Sequence, residues 1–159
     1  FHQDKYWLGF ERVEVVWYNK SYIDYLKVHN FKFNRTQAAC NMTVHHLVDI
    51  DEKFAVEVQA YKFLSNEYRE FPIRLNVDFC GTLAVNDFGM HGVLECGNFT
   101  ACPMRKGWYH VCNFKPDAKR FPPLIPEGSY MVEMKIFRGD IQFIIYQAYA
   151  TVKYPFLFN

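Results

Sequence analysis

Five cysteines, six histidines and four Asn-X-Ser/Thr triplets are the residues of this 159-residue chain whose types and spacing bear on chemistry. Three of the cysteines fall in one stretch, CGNFTACPMRKGWYHVC, residues 96–112. Structural zinc would need paired thiolates of the C-x2-C kind with further Cys or His close by. The cysteine spacings here are different, and His45 and His46 adjoin no cysteine, so no metal site and no cofactor are expected. His45-His46 with Asp49 and Asp51 suggests acid–base work, yet neighbours on a strand point to opposite faces. One histidine in solvent and one in the core is the better reading. Ser129 stands in EGSY without the G-x-S-x-G elbow, and no Gly-rich phosphate loop appears. No residue is therefore assigned a catalytic role.

The triplets are at Asn19, Asn34, Asn41 and Asn98. With ten Asn and eight Ser/Thr in the chain, chance would give about 0.5 of them. The excess predicts a secreted, extracellular glycoprotein with these asparagines on its surface. There is no initiating Met or leader, and the longest uncharged run, IQFIIYQAYATV from Ile141, is far below the roughly 18 residues that span a bilayer. Removal of a signal peptide is the matching expectation. In an oxidising compartment, Cys40, Cys80, Cys96, Cys102 and Cys112 make two disulfides and one odd thiol.

A net charge of +1 excludes nucleic acid as a partner, since counterion-driven binding needs a concentrated basic stripe. Phe, Tyr and Trp make up 19% of the chain while serine occurs only at Ser21, Ser65 and Ser129, the reverse of linker composition. One domain over residues 1–159 is expected.

These residues must be positioned by strands. CNMTVHHLV sends Met42, Val44, His46 and Val48 inward if Asn41 faces out; FAVEVQAY does so with Phe54, Val56, Val58 and Ala60. DIDEK, 49–53, is the turn between them. IRLNVDF alternates with Ile73, Leu75, Val77 and Phe79 inward, YMVEMKIF with Tyr130, Val132, Met134 and Ile136, and RGD at 138–140 turns into IQFIIYQAYATV. Period-2 strands with short connections predict an all-β, two-sheet, immunoglobulin-like sandwich. Asn34 and Asn41 are seven apart, so if both face solvent the chain bends or bulges near Gln37–Ala39.

The order of DFC (78–80), CP (102–103), GWY (107–109), FPPLIPEGSYMVEMKIF (121–137) and YATV (149–152) resembles the ML-type lipid-recognition β-sandwich family. That family includes the ganglioside activator protein, the Niemann-Pick type C sterol carrier and the lipid-binding coreceptor of a Toll-like receptor. FNRT (33–36), NEYREF (66–71), VDFC (77–80) and IPEGSY (125–130) are similar to its insect chemosensory B branch, although that branch's early cysteine pair is missing. The resemblance, over roughly residues 10–152, implies a non-enzymatic cup with a hydrophobic cavity between its sheets, holding a lipid, sterol or long-chain hydrocarbon. Its expected walls are Phe54, Val56, Val58, Ile73, Leu75, Val77, Trp108, Phe121, Tyr130, Val132, Met134 and Ile136. The ganglioside activator's pairing implies Cys80–Cys102, then Cys96–Cys112 with Cys40 free; the sterol carrier's small loop would instead join Cys96 to Cys102. Either way the loop's cysteines brace a rim.

Transient membrane contact and a receptor are further expected partners. Trp108, Phe114, Phe121, Leu124 and Ile125 beside Lys115, Lys119 and Arg120 are either a membrane-touching mouth or a loop packed on its own sandwich. The alternative function is a secreted interaction module or receptor co-factor with a closed core.

Overall fold

The computed structural model describes residues 1–51 and 53–155. Among the described residues, eight antiparallel strands make two sheets. β1 (Trp7–Tyr18), β8 (Ile141–Lys153), β7 (Gly128–Arg138), β4 (Ala55–Leu64) and β5 (Glu67–Asp78) lie side by side in that order, and β2 (Ile23–Lys32), β3 (Ala38–His46) and β6 (Gly107–Phe114) form the second sheet. The all-β sandwich expected from alternation is the fold observed.

Local chemistry sets the turns. Ser65 and Asn66 both adopt positive φ (54° and 64°), the backbone of a two-residue hairpin whose twist matches its strands. Between β2 and β3 the Asn34 carboxamide oxygen accepts from the backbone N–H groups of Thr36 and Gln37 at 3.0 Å each. The FNRT stretch is thus itself the chain reversal. A hairpin, rather than a bulge near Gln37–Ala39, removes the conflict between Asn34 and Asn41. The 138–140 turn carries Gly139 at φ 58°, with Arg138 paired to Asp51 at 2.7 Å.

Two side chains stand in for backbone partners. Asn30, at an inward position of β2, accepts from Val13 N–H and donates to Val13 C=O, both at 2.9 Å, and so fastens β1 to the other sheet along one side of the sandwich. On the opposite flank β5 pairs with β4 alone. The β4–β5 register slips between Gln59 and Tyr61, opposite Pro72. Pro72 has no N–H for the ladder, and the Gln59 amide donates to the carbonyls of Phe71 (3.0 Å) and Ile73 (3.4 Å) across the slip.

The strand expected through Phe79 ends at Asp78, because the Asp78 carboxylate accepts from Gly81 N–H and caps the short helix α1 (Phe79–Ala84). A stretch of 3₁₀ turns, Asp87–Leu94, follows, broken by positive φ at Phe88 and Gly89. Disulfides join Cys80 to Cys102 and Cys96 to Cys112, and Cys40 is a buried free thiol. Among the described residues three apolar clusters result. One, around Ile23, Leu26, Phe54 and Ile144, ties the sheets at one end. A second, around Leu83, Val93, Phe99 and Val111, seats the disulfide-bonded loops on the three-stranded sheet. The third, around Tyr6, Tyr130 and Val152, closes the far end.

Candidate functional site

Register places the inner face of the large sheet in rows. Val15, Tyr146, Met134, Val58 and Leu75 are successive partners across β1, β8, β7, β4 and β5. The next row is Val13, Ala148, Val132 and Ala60, and Phe10, Ala150 and Tyr130 follow. The two alanines of β8 make the middle of this face shallow. Across from it the small sheet presents Leu26–Val44–Tyr109, Val28–Met42–Val111 and Asn30–Cys40–Phe114.

Of the expected wall residues, Val56, Val58, Ile73, Leu75, Val77, Tyr130, Val132, Met134 and Ile136 lie on this inner face. They are not equivalent. Phe54 (3% exposed) and Ile136 belong to the cluster at one end, Tyr130 and Phe121 to that at the other. Val58, Ile73, Leu75, Val77, Val132 and Met134 are only half-buried and, among the described residues, join none of the three clusters. They form an apolar seam that stays partly accessible. Tyr146 reaches into the interior within electrostatic range of Cys40, and burial drives its phenol strongly upward. Burial also pushes the Cys40 thiol up to about 11.

Two clefts open elsewhere. One of about 640 Å³ lies at the sandwich end, floored by Tyr22, Ile50, Met104 and Phe143 and rimmed by Asp49 and Arg138. The other, about 610 Å³, lies between α1 and the Cys80–Cys102 bridge. None of the twelve expected wall residues lines either, so neither cleft is the hollow expected between the sheets.

Trp108 is a correction. It is 55% exposed on the outer face of β6, stacked on His45 with ring centroids 4.5 Å apart and tilted against Tyr25. Strand parity explains the swap: its neighbour Tyr109 turns inward against Phe99 and His46. The two histidines divide as alternation predicts. His45 bonds Asp24 at 2.6 Å on the surface, whereas His46 is 3% exposed, its Nδ1 has no partner, and burial, aided by His45, lowers its pKa to about 4. No group of three or more His, Cys, Asp or Glu among the described residues is placed to hold a metal.

The proline-rich segment is packed on its own sandwich. Tyr6, Tyr154 and Tyr130 donate their hydroxyls to the carbonyls of Pro122, Ile125 and Pro126, each at 2.7 Å. Arg120 donates to the carbonyls of Val85 and Asn86, which ties the segment to the turn after α1. Lys115 sits 3.9 Å over the Phe33 ring. Leu124 is the segment's outlier at 85% exposure. Alternation does not single out Asn30, Ala148 or Tyr146; the one available signal is a polar residue, Asn30, in an inward slot two positions after Val28.

The four sequon asparagines are exposed or half-exposed. Asn34 sits in the β2–β3 turn and Asn41 on the outer face of β3, where its oxygen accepts from Asn113 N–H. Asn19 donates to the Gln142 carbonyl at 3.1 Å, and Asn98 borders β6.

A family model described as a protein of unknown function, DUF1091, matches residues 54–132, just under half the chain. The match spans most of the seam and both disulfides but brings no activity with it. No curated protein matches. Among solved structures, a Niemann-Pick type C2 protein from the Japanese carpenter ant aligns over 95% of this chain and 96% of its own, at 13% identity and a TM-score of 0.34. At those values the alignment carries no weight, and the sandwich rests on strand order and register.

Proposed function

We propose that this chain is a secreted, glycosylated binding protein that carries or presents a hydrophobic ligand, a lipid, sterol or long hydrocarbon, along the seam between its sheets. The observation that carries this reading is the half-buried apolar set Val58, Ile73, Leu75, Val77, Val132 and Met134, inward-facing yet outside every packed cluster. A folded interior ordinarily packs to crystal density, so apolar surface left short of that is surface a ligand can complete. The incentive is large. Burying a sixteen-carbon chain is worth on the order of 13 kcal/mol gross at about 0.8 kcal/mol per methylene, and part of that offsets the lost freedom of ligand and protein. The motif order shared with the lipid-recognition sandwiches supports the same reading, and its insect-branch motifs support a role in chemosensory transport. The protein is read as a binder, not an enzyme.

Native mass spectrometry of the purified protein, before and after organic extraction, tests this. A bound species lost on extraction and regained on incubation with a long-chain fatty acid, a sterol or an alkane is expected. If no adduct forms with any of the three while the extracted protein stays folded, the carrier reading is wrong.

A further inference from the structure

Asn98 meets the sequence rule for N-glycosylation, but its carboxamide is already in use. Its oxygen accepts from His110 N–H at 2.6 Å, and its nitrogen donates to the Trp108 carbonyl at 2.9 Å. Those two backbone groups lie on the same edge of β6, because residues two apart on a strand share a side. To meet both at once, the amide must point its oxygen and one N–H the same way, so the bonding hydrogen is the one cis to Oδ1. A glycosylated asparagine is a planar secondary amide and adopts the trans form. Trans places the first sugar carbon cis to Oδ1, the position the clamp's hydrogen fills. A glycan there would be driven into the β6 backbone.

The surroundings leave little freedom to swing away. Asn98 N–H donates to His110 C=O at 3.0 Å, and Cys112 N–H donates to Cys96 C=O. Gly97 has φ 102°, with no room for a Cβ against the His110 carbonyl, and Phe99 is 3% exposed in the second cluster. Asn41 differs: its nitrogen has no partner among the described residues, and its oxygen alone is bound. The Asn34 carboxamide nitrogen donates, among the described residues, only to the exposed Gln37 side chain.

We infer that Asn98 is a structural clamp that stays unglycosylated, and that Asn34 and Asn41 carry the glycans. This rests on the secreted reading for the glycans but not for the clamp. The experiment is glycopeptide mapping of the full chain expressed through a eukaryotic secretory pathway, with Thr100→Ala and Asn98→Asp compared by intact mass and thermal melting. Thr100→Ala destroys the sequon and keeps the amide; Asn98→Asp destroys the donor. Glycans at Asn34 and Asn41, a bare Asn98, no loss of glycan mass in either variant and a melting temperature lowered by about 2–6 °C only in Asn98→Asp are expected. A glycan mapped to Asn98, with one glycan's mass lost in both variants, overturns the inference. If no sequon is occupied, the secretory reading fails, and the melting comparison still decides the clamp: equal melting of Asn98→Asp and wild type refutes it.

Discussion

Acidification should destabilise this protein through His46. The imidazole is 3% exposed, edge-on to Tyr109, with an unpartnered Nδ1, and its pKa falls from 6.5 to about 4 because burial penalises the charged form, with a smaller contribution from His45. The unfolded chain therefore binds a proton that the folded chain refuses. The His46 contribution is intact above pH 6.5 and is lost progressively as pH falls toward 4. Linkage puts the loss between pH 7.5 and 5 at about 2 kcal/mol, and at about 3 kcal/mol once both states are protonated. Urea unfolding of wild type and His46→Phe at pH 7.5, 6 and 5 isolates the effect, since the phenyl ring keeps the packing and cannot titrate. The variant's stability should fall by about 2 kcal/mol less than wild type across that range. Parallel pH profiles would refute the assignment of His46 as a buried neutral base.

Ala148→Phe or Val132→Phe, which extend into the seam, should weaken uptake of a fluorescent fatty acid at least about tenfold, while Trp108→Ala on the outer face should leave the displacement titration unchanged. Asn30→Ala, which strips partners from the N–H and C=O of buried Val13, should cost about 1–3 kcal/mol in urea unfolding. Cys40 should resist iodoacetamide in the native protein and react on unfolding, because its thiol is fully buried and its pKa is pushed up to about 11; alkylation mass shifts with and without denaturant check this.

The strands most legible in the sequence are those with one buried face and an undisturbed register. Ile73–Val77 and Tyr130–Ile136 alternate because burial on one side imposes a period of two. β1 is harder to read. Its pairing slips between Phe10 and Arg12 and again between Val15 and Trp17, so the apolar run Val15-Val16-Trp17 breaks alternation. α1 was hidden because Asp78 looks like one more outward strand residue until its carboxylate is seen capping a helix. For the candidate site, alternation states which side chains point inward and not what meets them there. The half-covered state of Val58 and Met134 and the packing of Phe121 at the end of the sandwich depend on contacts between segments far apart in the chain.

Pro72 gives the outer rim of the large sheet a property of its own. A neighbouring molecule adding a strand to β5 would meet the register slip opposite Pro72 and the charges of Arg69, Glu70, Arg74 and Asp78. Such an edge does not template edge-to-edge polymerisation.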